Sequence, residues 1–359
     1  MPNLVESQLD SFAGLLERGL PDLLKEFSPI KDYAGKKFEL SIGGLEIIRP
    51  KYDEHYAKDN KLNYEGQIKV KVTLKNKSLN TAKEQEMFLA DLPLMTDHGT
   101  FVINGVERVI VPQLARSFGI FFTSSEVRGK TYFGAKIIPA RGVWMEIEDD
   151  PDGLIYCRID RKRKFPVTSL LRVLGADTDD KITKLFAGQP EVAKVISAVL
   201  AKDHAKTADE AYMEIHKRLR DGDLATPDNA RSFIQAILSK ERYDISPVGR
   251  YRFNKRFGKP IDEKSLECRT LELDDVTTAV AHVVALSTEP DTHPDDIDHL
   301  GSRRVRYVGE LLEARIRLGL SQMKRNIQDR MSTIDPEVTM PVSFIYPRPL
   351  QARIKEFFT

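Results

Sequence analysis

Three clusters of side chains have the types and spacing to engage a polyanion. The densest is Arg158-Ile159-Asp160-Arg161-Lys162-Arg163-Lys164, directly after a predicted strand. Such a run is either a solvated surface turn or a phosphate-binding site, and the run alone leaves both open. The second cluster, from Gly249 to Lys259, interleaves Arg250, Arg252, Lys255 and Arg256 with Tyr251, Phe253 and Phe257. Cations there can meet phosphates while rings stack on bases, but the same rings can equally anchor a loop to the core. The third is Arg303, Arg304 and Arg306, where a planar guanidinium fork could reach phosphate or a guanine edge.

Just before these arginines, His293, Asp295, Asp296, Asp298 and His299 offer possible metal ligands. Their spacing matches none of the well-defined zinc or calcium signatures, and the carboxylates can instead pair with the arginines that follow. The chain has no P-loop, no G-x-S-x-G, no H-E-x-x-H and no aspartate run suited to holding two magnesium ions. Taken alone, it does not read as a self-sufficient enzyme. The single tryptophan, Trp144, follows Arg141-Gly142; a lone tryptophan is ordinarily core or strand-pairing material.

These groups must be held by two kinds of element. Leu4, Leu9, Phe12, Leu15 and Leu16 fall near helical spacing and predict an opening helix that stops at Gly19-Leu20-Pro21. From Phe38 to Phe122 the pattern turns to β. Ile68, Val70, Val72 and Leu74 alternate with Lys69, Lys71 and Thr73 as a half-buried strand with a basic outer face. Leu89 to Phe122, cut by Asp97-His98-Gly99 and Asn104-Gly105, reads as a meander of short strands. Further strands are expected around Ala135–Ile138, Trp144–Ile147 and Leu154–Ile159. After Pro166 the chain becomes helical: Val192, Ile196, Val199 and Leu200 share a face, Thr207 and Glu210 form a capping box, and helices follow near 227–240 and 273–286. Charged loops are expected at 241–264 and 289–306. A long apolar stripe from Val308 to Met331 predicts a packed helix, and a new amphipathic turn begins at Gln351.

At 359 residues the chain exceeds the usual single-domain size, so two or three domains are expected. Its 55 basic and 54 acidic residues nearly cancel, which leaves only local patches to attract nucleic acid. Cys157 and Cys268 stand far apart, in keeping with a reducing compartment. There is no signal-like N-terminus and no apolar stretch approaching the ~20 residues needed to cross a bilayer, so a cytoplasmic location without a membrane partner is expected.

The string FLADLPLMTDHGTFVINGVERVIVPQLARSFGIFF, from Phe88 to Phe122, resembles the N-terminal part of the β subunit of bacterial RNA polymerase. In that family a PLMTD-GTFVINGxERVIV-QL-RS-G-FF run recurs. The similarity extends in order through Glu6–Phe12, Phe27–Ile30, Lys136–Gly142, Trp144, Arg158–Lys164, Glu241–Arg250, Phe253-Asn254, Asp295–Gly301, Arg303-Arg304 and Val308–Glu310, nearly the whole chain.

The resemblance implies an α+β fold of two modules: a β-rich protrusion with a mixed α/β lobe inserted into it. The protrusion would run over 1–112 and return at 335–359, with the lobe at 113–334. It implies a wall of the DNA cleft that contacts the non-template strand, in an assembly with β′, α and sigma subunits and DNA. Arg116, Ile297, Asp298 and Arg303 match a pocket for an unpaired non-template guanine, Trp144 a position that stacks on a base, and Arg161, Lys162 and Arg242 further strand contacts. No catalytic residue and no cofactor is expected in this chain, because the family's magnesium-binding aspartates lie in β′. Two departures are expected to matter. No large extra lobe subdomain stands between Phe186 and Glu191, and the chain stops at Thr359, before the family's rifampicin-binding segment, as a fragment would. Two other readings stand beside this one: a free-standing single-stranded DNA-binding module, and a metal-dependent hydrolase using His293, Asp298 and His299.

Overall fold

Alternation of apolar and polar residues produces the strand Glu65–Asn76, and burial alternates along its length. The computed structural model, which describes residues 3–223, 225–289, 291–334 and 340–359, places it in an antiparallel sheet ordered Ile30–Lys31, Phe38–Ile48, Glu65–Asn76, Thr81–Pro93. Phe38–Ile48 is one strand with a bulge between Gly43 and Glu46. On the outer face Lys69 meets Glu86 at 3.4 Å.

The opening helix does not stop at Pro21. Glu6–Gly14 runs into a π-helical turn, Leu15–Gly19, and then into Leu20–Phe27. Proline lies in the first turn of that last helix, where its missing N–H costs little, and the wider turn carries the chain past it.

The expected meander also resolves differently. Its strands exist, but among the described residues they belong to four separate sheets. Thr81–Pro93 completes the first sheet; Phe101–Ile103 and Val106–Arg108 form a hairpin across Asn104-Gly105, both at positive φ. Gln113–Arg116 pairs with Arg303–Arg306, and Gly119–Val127 enters a five-stranded sheet.

The α+β chain divides into two compact units, 1–114 with 305–359, and 115–304. These units part at 114/115 and 304/305, so residues 305–334 group with the first of them. The reason is the helix Val308–Thr333: its stripe of Val308, Leu312, Ile316, Leu320, Met323, Ile327 and Met331 joins the core formed by Phe12, Phe38, Val70 and Leu92. Residue 335, where the return was expected, lies outside the described residues. The amphipathic turn near Gln351 is the helix Arg348–Phe358 of the same unit.

The other unit is built on an antiparallel sheet ordered Phe165–Pro166, Ile155–Ile159, Met145–Asp149, Lys130–Ile138, Gly119–Val127. Inward residues Phe122, Ile137, Ile147 and Cys157 share one core with the helices Val167–Val173, Pro190–Lys202 and Leu273–Thr288. The capping box of Thr207 and Glu210 starts Ala208–Leu219. One expected loop is a helix: Ser246–Arg256. Its inward residues are Gly249, Arg250, Phe253 and Asn254, a face too polar to register as an amphipathic stripe. Among the described residues no helix is long and apolar enough to cross a membrane.

Candidate nucleic-acid interface

Strand register brings the sequence-predicted residues to one end of the five-stranded sheet. Gly119 pairs with Ile138, Ile137 with Met145, and Met145 with Ile159. The chain entering from Arg116, the connection from Pro139 to Trp144, and the turn after Ile159 therefore share that end. At about 4.8 Å per strand spacing they span roughly 15 Å.

At the inner part of this end, Lys162 N–H donates to the Ile159 carbonyl at 3.0 Å, with Asp160 and Arg161 at φ 53° and 56°. Two central residues at positive φ are the pattern of a tight type I′ turn. The basic run therefore sits on a solvated turn, and the structure sorts its charges. Arg158 meets Glu148 at 3.2 Å, Arg163 meets Asp221 at 2.9 Å and Lys164 meets Asp150 at 2.8 Å. Arg161 and Lys162 are exposed and, among the described residues, have no carboxylate partner. The Arg161 guanidinium carbon instead lies 5.5 Å from the ring centroid of the half-buried Trp144, whose carbonyl accepts from Asp160 N–H at 2.9 Å.

Arg242 reaches the same corner through backbone pairing. Arg141 and Asp244 form a β-bridge, closed by Asp244 N–H donating to the Arg141 carbonyl at 2.8 Å. Gly142 has φ 116°, and a Cβ there would stand 3.0 Å from the Arg242 carbonyl oxygen and 2.8 Å from the Tyr243 ring. Only glycine permits both that φ and that approach. Arg242 itself is exposed, and its neighbour Tyr243 is buried.

At the outer edge, the loop that carries Ile297, Asp298 and Arg303 is clamped onto the Gly119–Val127 strand. Phe122 N–H donates to the Asp295 carboxylate at 2.7 Å, Asp295 N–H returns to the Phe122 carbonyl at 2.8 Å, and Arg256 holds both Asp295 oxygens at 2.6 and 2.7 Å. The Asp296 carboxylate then accepts from the N–H groups of Asp298 and His299, at 2.9 and 3.2 Å. With the backbone so fixed, the Asp298 side chain projects outward, 86% exposed, 3.4 Å from Arg303. Ser117 N–H donates to the Ser302 carbonyl at 3.0 Å, so Arg116 and Arg303 flank one hydrogen bond. Ile297, on the same loop, is half-buried.

The helix Ser246–Arg256 ties both groups together. It starts just after Asp244, and a Cβ on its Gly249 would come within 3.2 Å of Phe118 Cβ and 3.3 Å of Gly119 N. Its aromatic residues mostly serve the core: Phe253 is buried, and Phe257 packs edge-on against Phe122 and His282. Its arginine at 250 is buried too, its guanidinium bonded to Asp275 at 2.6 and 3.0 Å and to the carbonyls of Cys268 and Thr270 at 2.7 Å. The supporting roles of Asp295, Arg256 and Asp275 escaped the sequence reading. The acidic loop and the Gly249–Lys259 run were visible, but nothing local says which acid meets which base.

Among the described residues, no group of three His, Cys, Asp or Glu side chains converges to hold a metal ion. His299 Nδ1 is already engaged, accepting from Gly301 N–H at 3.0 Å. What the sheet end presents is one half-buried ring, exposed cations and a projecting carboxylate. A carboxylate can accept from the N1 and N2 donors of a guanine, and cations and the ring can take a backbone and a base face.

Comparison with known proteins matches residues 116–306 to the family described as RNA polymerase Rpb2, domain 2. The whole chain aligns with the DNA-directed RNA polymerase subunit beta of Syntrophomonas wolfei at 41% identity and with that of Synechococcus elongatus at 41%, covering 32% of each. With the subunit of Clostridium kluyveri it is 36% identical over 463 aligned positions, covering 37% of that protein, which therefore carries insertions this chain lacks. The chain spans about a third of the length of these relatives. With a family match over more than half its residues, and its whole length aligned to about a third of each of these subunits, the chain belongs to the RNA polymerase β-subunit family.

Proposed function

We propose that this chain is the part of a DNA-directed RNA polymerase β subunit that walls one side of the DNA cleft and holds the unpaired non-template strand. The observation that carries this reading is the shared sheet end, where exposed Arg161, Lys162, Arg242 and the Asp298–Arg303 pair stand with half-buried Arg116 and Trp144 on strand ends and a clamped loop. Unit 115–304 would be the lobe, and 1–114 with 305–359 the protrusion. Asp298 would accept from a flipped guanine, Arg116 and Arg303 would hold its backbone, and Trp144 would stack on a second base. Nucleotidyl transfer itself would be the work of an assembly with β′, α and sigma in the cytoplasm, and the magnesium would belong to β′.

The test is a polymerase assembled with a β subunit carrying this segment, on bubble DNA with guanine or adenine in the non-template strand. A longer open-complex lifetime with guanine, abolished by Asp298→Ala, is expected. A lifetime indifferent to the base would overturn the guanine reading. The second reading, a free-standing single-stranded DNA-binding module, requires tight, salt-dependent oligonucleotide binding by this chain alone. Primer extension by the purified chain without partners would contradict both.

A further inference from the structure

Beside the Asp298–Arg303 pair lies a concavity of about 320 Å³, lined by Phe121, Tyr251, Arg252, Lys255, Arg256 and Ser302 among others. Its cations are not equivalent. Arg256 is neutralised by the two hydrogen bonds to Asp295. Arg252 has its guanidinium carbon 5.3 Å from the Phe121 ring centroid and spends one N–H on the Gly301 carbonyl at 3.3 Å. It has no carboxylate partner among the described residues, so most of its donor fork is unused. The Lys255 ammonium, 5.7 Å from the centroid of the exposed Tyr251, likewise has no carboxylate partner among them. Ser302 is the residue next to Arg303, and its backbone is pinned to Ser117 at 3.0 Å. The concavity and the Asp298–Arg303 pair thus abut on one rigid loop.

We propose that Arg252, Lys255 and Ser302 form a phosphodiester subsite that holds the backbone of the nucleotide adjoining the one placed at Asp298. The inference rests on the non-template-strand reading and extends it by one nucleotide along the strand. A planar fork, a flexible ammonium and a hydroxyl lining one concavity suit a phosphate; Asp295, which also lines it, is taken by Arg256, and neither Arg252 nor Lys255 has a carboxylate partner among the described residues. Tyr251 at the rim offers a ring face to the attached base. The role is sequence-independent, because phosphate contacts position a strand and carry no base information.

The test measures oligonucleotide binding to the full 359-residue chain at low ionic strength by fluorescence anisotropy. A guanine-containing strand, an adenine-containing strand and an abasic strand of equal length are compared over a salt series. Lys255→Gln, whose ammonium has no carboxylate partner among the described residues, and Arg252→Ala are each expected to weaken all three strands by a similar factor, about 3- to 10-fold. Each should also lower the salt slope by about 0.7. Lys255→Arg should restore binding. Asp298→Ala should instead erase only the difference between guanine and adenine. Lys255→Gln binding like wild type, with Asp298→Ala still erasing base preference, would overturn the subsite and leave the guanine reading standing. The reverse pattern would overturn the guanine reading alone. Absence of wild-type binding, or competition by inorganic phosphate as effective as by the abasic strand, would also overturn the subsite.

Discussion

The Arg161 guanidinium lies over the ring of Trp144, 5.5 Å from its centroid, where a type I′-like turn meets the end of the five-stranded sheet. One face of the ring is thus already engaged by a cation, so a base stacking on the ring would be sandwiched or would displace the arginine. Because Trp144 is the only tryptophan, its fluorescence reports on this corner alone. Addition of single-stranded DNA to an assembled polymerase in which other tryptophans are silent should change that emission. Trp144→Ala should weaken bubble binding by about 1–3 kcal/mol with an unchanged circular dichroism spectrum. An unaltered open-complex lifetime would count against stacking.

Asp298 and Arg303 meet at 3.4 Å with the carboxylate 86% exposed. A pair so open contributes little to stability. Asp298→Ala should therefore leave the thermal midpoint within about a degree or two of wild type while removing discrimination for guanine. A large loss of stability would show that the carboxylate holds the loop rather than a base.

Arg250 and Asp275 are each only 4% exposed, and Asp275 also accepts from Glu272 N–H at 3.0 Å in the capping box of Leu273–Thr288. Asp275→Ala strands a guanidinium in the core and should cost roughly 3–5 kcal/mol. Urea unfolding followed by Trp144 emission, which reads the same unit, measures the loss. The double variant Arg250→Met, Asp275→Leu should lose less than the single one, since no charge is left buried. A double variant that unfolds more easily than Asp275→Ala would contradict this.

Burial pushes the Asp149 carboxyl up from 3.8 to about 6, although Phe133 N–H, donating at 2.7 Å, favours the charged form. A folded-state value above the unfolded one means that the native state binds the proton more tightly. This stabilising contribution is complete below the unfolded value and is lost as pH rises through about 6. The thermal midpoint of wild type relative to Asp149→Asn should accordingly fall between pH 4 and pH 7, about the window set by those two values. Carboxylates common to both proteins cancel in the difference. A flat difference would mean that the group titrates normally.

The sequence by itself determined what depends on neighbours along the chain. Alternation set the Glu65–Asn76 strand, Asn104-Gly105 set a hairpin, Thr207 and Glu210 set a helix start, and ordered strings such as DLPLMTDHGTFVINGVERVIV marked the family. Tertiary structure alone decided what depends on residues far apart meeting. It gave the long helix Val308–Thr333 to the unit containing Phe12 and Phe38. It made a helix of Ser246–Arg256, because a buried arginine becomes tolerable once Asp275 stands opposite. It also separated the cations of one basic run: Arg158, Arg163 and Lys164 found carboxylates on other elements, while Arg161 and Lys162 did not. A charge run announces only that charge is present. Whether that charge is spent inside the protein or remains for a strand of DNA is fixed by Coulomb partners that folding alone brings within reach.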